Sequence, residues 1–219
     1  TLRAIVSPSY APVADSMIAE LLVRALQPKD DELRIVRHAS TDMMTSYVVK
    51  VGKTFRPGDD HEVGDVWGGL LVSNSGVGYA SLLVPLHLTR LLCKNGMTAP
   101  VEHPVLLRRR HLGLDDEKLA AILAKRFDDL PGKLCAGAEC LRASRERRVE
   151  DVSIEVRHVL TERRLPLRLL DPILKAYDLE PHPSAFGIAQ AMTRAAREAA
   201  PEERVEMERV AGSYVAMVA

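Results

Sequence analysis

Apolar and polar residues alternate along much of the first half of the chain, in the pattern of strands that have one buried face. Residues 33–36 and 44–51 show this alternation, and these two runs could pair with each other. The largely apolar run 66–72 predicts a third strand. Residues 3–6 form a further β-prone run that ends at Ser7-Pro8. The first half is therefore predicted to be rich in strands.

The segment from Ser81 to Cys93 carries apolar residues at every even position except Arg90. This spacing predicts a strand with one buried face, although a helix is the alternative. Pro85 cannot donate a backbone hydrogen bond, so a strand here has to be an edge strand or carry a bulge. Asn95-Gly96 follows as a strong turn signal.

The remaining periodic segments are helical. Apolar residues at helical spacing predict one helix from Pro12 to Leu26, and acidic residues at 115–117 open another. Prolines separate five more candidates: 133–148, 152–161, 167–177, 183–198 and 201–218. Strands followed by helices predict an α+β fold, with an antiparallel-type sheet packed with helices in the N-terminal half. We expect a strand-rich region 1–113 and a helical region 114–219, packed as one structural unit.

Composition and charge limit the classes of function. The 219 residues are 47% hydrophobic and 27% charged, as in ordinary globular proteins. Thirty basic residues balance thirty acidic ones, so no overall field attracts nucleic acid or an anionic membrane. The 13 basic and 11 acidic residues before Gly113 give +2, and the remainder gives −2. Any nucleic-acid contact must therefore be local.

Cysteine usage and hydropathy indicate a cytoplasmic protein. Three cysteines are too few and odd in number for a disulfide framework. No apolar run approaches the ~18–20 residues of a membrane-spanning helix, and Thr1-Leu2-Arg3 lacks the shape of a secretory signal.

The most concentrated basic patch is Arg108-Arg109-Arg110, with apolar residues before it and His111 after it. On a strand, Arg108 and Arg110 would share one face and could follow a row of phosphates. A solvated turn before the next helix is the alternative. Arg90 is either an ion-paired core residue or a phosphate contact at the rim of the sheet. Lys94 adds a further candidate contact.

One stretch carries most of the distinctive motifs. An apolar strand leads into Asn74-Ser75 and a glycine-containing turn, and a second apolar strand ends in Arg90-x-x-Cys93-x-Asn95-Gly96. This arrangement resembles the phage- and plasmid-like proteins grouped as domain of unknown function 932. The start of the chain and its helix near residues 191–196 are similar to that family as well. Many relatives have His-Asp-Gly after the Asn-Ser pair, where this chain has Gly76-Val77-Gly78, so no role of that His and Asp carries over.

The resemblance implies a setting on mobile genetic elements and an association with single-strand annealing. Our first hypothesis is a nucleic-acid-binding protein, acting on single-stranded DNA as a homo-oligomer. Aromatic residues are only 4% of the chain, and Tyr47, Trp67 and Tyr79 are the stacking platforms of the strand region. The second hypothesis is a structural or protein-interaction oligomer that does not bind DNA.

Catalytic signatures are absent from the sequence. Gly52-Lys53-Thr54 lacks the glycine-rich loop of a phosphate-binding motif, and neither His-Glu-x-x-His nor Cys-x-x-Cys occurs. We predict no metal site, cofactor or catalytic residue. Asn74 and Ser75 have two interpretations: side chains that bond their own backbone in a tight turn, or a loop that holds a ligand. Cys93 is interpreted as a buried structural thiol.

Overall fold

The architecture comes from a computed structural model. It describes residues 5–26, 33–51, 65–90, 95–98, 105–111 and 130–218, together with 117, 120–122 and 125. Six strands precede most of the helices, so the predicted α+β fold is confirmed. The packing of 1–113 and 114–219 as one structural unit stays a prediction.

Six strands of the described chain form the sheet. They are β1 (Arg34–Ser40), β2 (Thr45–Lys50), β3 (Val66–Asn74), β4 (Leu82–Arg90), β5 (Asn95–Thr98) and β6 (Val105–Arg109). The order is β1-β2-β3-β4-β5, and β6 pairs with β4. The β1–β2, β2–β3 and β4–β6 pairs are antiparallel. The predicted pairing of the first two strands is confirmed, and a turn closed by Thr41 joins them, since its Oγ1 accepts from the Met43 and Met44 amides.

Strand β4 settles the choice between strand and helix for its segment. The register between β4 and β6 shifts at Pro85, which confirms the bulge that a proline requires. The expectation of one buried face was wrong, because His87 and Thr89 are buried as well as the even-numbered leucines. A central strand is covered on both sides, so polar residues on its second face are buried along with the apolar ones.

Two other local predictions were wrong. Ile5 and Val6 belong to no strand, and Ile5 is exposed; residues 1–4 lie outside the described chain. Asn95 and Gly96 form the start of β5 and not a turn, because pairing within the sheet overrides a two-residue signal. Residues 91–94, which join β4 to β5, lie outside the described residues.

Helices make up most of the later chain. Helix α1 (Asp15–Leu26) precedes the sheet, and the helices that follow it are α2 (Leu130–Ala143), α3 (Val152–Glu162), α4 (Leu170–Asp178), α5 (Ala185–Ala195) and α6 (Pro201–Val218). Short 3-10 turns precede α4 and follow α5. All five helices predicted after residue 130 are confirmed, although the first ends at Ala143 rather than 148. Within the predicted segment that opens at 115–117, residues 117, 120–122 and 125 are helical.

The chain forms two compact units. The first comprises Thr1–Lys53, Trp67–His87 and His103–Leu134, and the second comprises Thr54–Val66, Leu88–Glu102 and Cys135–Ala219. In the first unit, Leu22 of α1 lines one small cavity together with Ile35 of β1 and with Tyr47 and Val49 of β2. In the second unit, α5 and α6 pack against each other and against β5.

Candidate functional site

The three consecutive arginines lie at the end of β6. Arg108, Arg109 and Arg110 are all exposed, and none of their side chains makes an ion pair or hydrogen bond with another described residue. The prediction that Arg108 and Arg110 share one face assumed that both lie on a strand. The strand ends at Arg109, so Arg108 and Arg109 point to opposite faces of β6 and Arg110 lies beyond the strand. The three guanidinium groups therefore diverge from one strand end.

Several arginines of the second unit form ion pairs with glutamates. In the second unit, ion pairs join Arg142 to Glu139, Arg168 to Glu203, Arg194 to Glu180, Arg204 to Glu208 and Arg209 to Glu206. Their positive charge is largely cancelled at short range. Among the described residues, the run at 108–110 has no carboxylate partner, in a protein of zero net charge.

An exposed aromatic residue lies close to this run. Tyr79 is 57% exposed and stands three residues before Leu82, which pairs with Arg109. The other two predicted stacking platforms are occupied: Trp67 is buried, and Tyr47 stacks on His38 with ring centroids 5.0 Å apart. Tyr79 is therefore the predicted platform whose ring is available to a ligand.

His111 fixes the chain directly after the arginines. Its ring is buried and lies 5.2 Å from the ring of Tyr10, and its carbonyl accepts a hydrogen bond from the Ala11 amide. Burial lowers the pKa of His111, while the nearby backbone of Ala80 acts in the opposite direction. The end of β6 is thus held against the N-terminal segment.

The other predicted contacts are only partly described. Arg90 ends β4, but its side chain lies outside the described part, so the choice between ion-paired core and phosphate contact stays open. Cys93 and Lys94 lie outside the described residues. Asn95 and Gly96 are described only as backbone of β5.

The Asn74-Ser75 motif joins distant segments of the first unit. Asn74 is buried, and its Nδ2 donates to the Val13 carbonyl at 3.0 Å and to Asp15 Oδ1 at 2.7 Å. The prediction that Asn74 bonds its own backbone was therefore wrong, because its carboxamide reaches the start of α1. Asn74 Oδ1 is buried and has no hydrogen-bond partner among the described residues.

Ser75 extends the same network. Its hydroxyl donates to the Met43 carbonyl at 2.7 Å and accepts from the Tyr79 amide at 3.0 Å. The Tyr10 hydroxyl donates to the Ser75 carbonyl at 2.8 Å. Gly78 has φ of +78°, the left-handed conformation that glycine adopts readily. The turn is thus tied to the β1–β2 turn and to the N-terminal segment.

A cavity of about 660 Å³ opens beside this network, and we call it the Asn74 cavity. It is lined by the start of α1, the β1–β2 turn and the turn after β3. Its described polar lining comprises Asp15, Ser40, Thr41, Asp42, Thr45 and Asn74, and no described lining residue is cationic. Sequence reasoning identified only Asn74, because the two aspartates stand in segments that no motif connects.

Metal chemistry and membrane insertion find no support in the described chain. Among its residues, no group of three or more His, Cys, Asp or Glu side chains is placed to bind a metal ion. No helix of that same part is both long and apolar enough to cross a membrane. Cys135 and Cys140 are free thiols, and burial, followed by the charge of Glu139, raises the pKa of Cys140.

Comparison with known proteins identifies no relative. No protein-family model matches the chain, and no curated protein or solved structure is significantly similar to it. The resemblance to the phage- and plasmid-like family accordingly stays a prediction.

Proposed function

We propose that this protein binds single-stranded nucleic acid through Arg108, Arg109 and Arg110, with Tyr79 as a stacking platform. The observation that carries the proposal is the set of three exposed arginines without carboxylate partners among the described residues. Free guanidinium groups bind phosphates and release counterions, which supplies affinity without reading the base sequence. The Tyr79 ring can stack on an unpaired base, and this combination is typical of single-strand binding.

The wider role follows from the family resemblance. A protein of this kind would act in the cytoplasm during replication, recombination or strand annealing of a mobile genetic element. Arg90 and Lys94 are further candidate phosphate contacts. The diverging arginines would hold a flexible single strand more readily than the regular phosphate rows of a duplex.

Fluorescence anisotropy tests the proposal. A labelled strand of about 40 nucleotides, and its duplex, are titrated with protein over a series of salt concentrations. We expect tighter binding of the single strand. Changing Arg108, Arg109 and Arg110 together to Ala should reduce the slope of log affinity against log salt by about 2, since each single-strand contact contributes about 0.7. Tyr79→Ala should weaken binding of the single strand more than that of the duplex.

A matched control separates these contacts from total charge. In this control, Arg142, Arg168 and Arg209 are changed together to Ala. The change removes the same number of positive charges, but from residues that are already ion-paired. This control should bind nearly as well as the wild type. Equal losses in both triple variants would refute a specific contact at 108–110, and absence of binding at low salt would refute the function.

The exposed edge of the sheet favours a second candidate, a homo-oligomer that serves protein interaction. Among the described strands, β1 pairs only with β2, and it exposes Ile35 and Val36. Unpaired strand edges with apolar side chains are templates for association. Light scattering should give the mass of an oligomer for the wild type and a smaller mass for Ile35→Lys. A monomeric wild type would exclude this candidate.

A further inference from the structure

His111 is a buried imidazole at the point where three segments of the first unit meet. Its ring is 3% exposed, and neither Nδ1 nor Nε2 has a hydrogen-bond partner among the described residues. A neutral imidazole carries one donor and one acceptor, so both are left unsatisfied here. An imidazolium would bury two donors and a full charge without an acceptor, which costs considerably more free energy. The surroundings of His111 therefore fit only the neutral ring.

Segment 7–11 lies against this ring through few described contacts. The Tyr10 ring is 5.2 Å from the His111 ring, and the Ala11 amide donates to the His111 carbonyl at 2.8 Å. The Tyr10 hydroxyl donates to the Ser75 carbonyl, also at 2.8 Å. The rest of the segment is exposed. A segment held in this way opens locally at a smaller cost in free energy than unfolding of the whole protein.

The described groups around His111 offer no carboxylate as a counter-charge. Segment 7–11 contributes the Tyr10 phenol, whose pKa is raised by burial, so it stays neutral near neutral pH. The arginines at 108–110 precede the ring in the chain and carry charge of the same sign. The turn after β3 contributes the backbone of Ala80. Residues 112–116, which follow His111, lie outside the described chain.

We propose that the neutral His111 holds segment 7–11 at the end of β6 and that protonation of the ring releases the segment. In the released form, water accepts hydrogen bonds from both ring nitrogens. Burial lowers the pKa of His111 while the segment is in place. The bound form therefore takes up fewer protons than the released form. The contact is complete above the ordinary histidine pKa of 6.5 and weakens as the pH falls below it.

Release of the segment also changes what it connects. Tyr10 donates to the carbonyl of Ser75, in the turn that leads to Tyr79, and Ala11 binds the end of β6. Without this bridge, the stacking platform and the arginines at 108–110 lose one shared anchor. That consequence rests on the proposed function, whereas the release itself rests only on the contacts of the imidazole.

Hydrogen exchange of the full chain, followed by NMR between about pH 5 and 8, tests the inference, since histidines change their charge in this range. The Ala11 amide, which donates to the His111 carbonyl, reports the contact. Its protection, relative to an unprotected amide at the same pH, should fall below about pH 6.5 by up to about tenfold per pH unit. The Leu165 amide, which donates to the Leu160 carbonyl in the second unit, should keep its protection.

Histidine variants identify the titrating group. His111→Phe removes that group and retains a ring against Tyr10, so the protection of the Ala11 amide should become independent of pH. His158→Phe is the matched control at an exposed histidine of α3, and it should show the pH dependence of the wild type. The ring signals of His111 in the wild type give its pKa directly, so the inference is tested even if His111→Phe does not fold.

Four results would overturn the inference. The first two are a His111 ring that titrates at or above its ordinary pKa, and a wild-type Ala11 amide whose protection does not change with pH. The third is an equal loss of protection at Ala11 and Leu165, which would indicate general acid unfolding. The fourth is an unchanged pH dependence in a folded His111→Phe variant, which would assign it to another group. None of these measurements involves nucleic acid, so they stand apart from the anisotropy results.

Discussion

The side chain of Asn74 connects two segments that are far apart in the sequence. Its Nδ2 binds two acceptors that lie 61 and 59 positions earlier in the chain. A single carboxamide thereby fixes the start of α1 against the end of β3. The neighbouring Ser75 does the same for the β1–β2 turn through the Met43 carbonyl. Side chains that link segments so far apart shape the cavity more than the local turn does.

The surroundings of Tyr214 change the pKa of its phenol. Its ring is buried in α6, and its hydroxyl donates to Glu155 Oε1 at 3.0 Å. Burial, followed by the hydrogen bond and charge of Glu155, raises the pKa of the phenol well above its ordinary value of 10.0. Folding therefore favours the neutral phenol.

Tyr214→Phe should lower the free energy of unfolding at pH 7 by about 1–2 kcal/mol, because a hydrogen bond to a carboxylate is lost. A phenol whose pKa is higher in the folded than in the unfolded state contributes its full stabilisation at pH values below the unfolded pKa. This stabilisation is lost as the pH rises through the folded pKa. The difference between Tyr214→Phe and wild type should therefore shrink above pH 10.0. Urea unfolding at neutral and alkaline pH measures this.

Tyr79→Phe provides the control for that comparison. Tyr79 is exposed, so its variant should stay within about 0.5 kcal/mol of the wild type. A constant Tyr214→Phe deficit at every pH would contradict the assigned role of the phenol.

At the scale of elements, helix α5 approaches the preceding loop very closely. Gly187 lies in the first turn of α5, and its amide donates to Ser184 Oγ at 3.4 Å, which caps the helix. A Cβ at this position would meet the carbonyl group of His182. Backbone atoms cannot move aside as a flexible side chain can, so glycine is required for this contact.

Gly187→Ala should cost about 1–3 kcal/mol of unfolding free energy through overpacking. Gly132→Ala is the matched control in helix α2, where an added Cβ meets nothing within 4 Å. Because alanine is the better helix former, Gly132→Ala should be neutral or stabilising by up to about 1 kcal/mol. Thermal unfolding of both variants measures these changes. Similar losses of unfolding free energy in the two variants would show that the His182 contact is unimportant.

Elements were more predictable than the site that they build. Strands β1 to β4 and the later helices follow from apolar periodicity and from prolines, which act over a few residues. The register shift at Pro85 follows from its missing amide donor. By contrast, Asp15, Asp42 and Asn74 meet only through tertiary packing, and no local pattern reports which turns converge. The arginines at 108–110 were visible as a run, but their divergence depended on where β6 ends.

For the whole molecule, charge balance governs behaviour in solution. Thirty basic and thirty acidic residues leave no net charge, and the isoelectric point is near pH 7.0. Molecules without net charge lack the mutual repulsion that keeps proteins apart. Local fields, such as that of the arginines at 108–110, then dominate encounters with other molecules.

Static light scattering should therefore show the strongest attraction between molecules near pH 7.0. The apparent second virial coefficient should rise when the pH moves about two units in either direction, because net charge restores repulsion. Added salt should reduce that rise by screening. A minimum of attraction near neutrality would indicate that association depends on specific apolar contacts.

The interleaving of the two units bears on synthesis in the cell. The chain passes from one unit to the other five times, and the last segment of the second unit spans Cys135–Ala219. At about 5–20 residues per second, a ribosome needs about 4 to 17 seconds to translate those 85 residues. Residues 88–102 emerge earlier and must wait for their partners during that interval. The nascent chain is then open to misassociation, and a chaperone that holds unfolded segments would act at this stage.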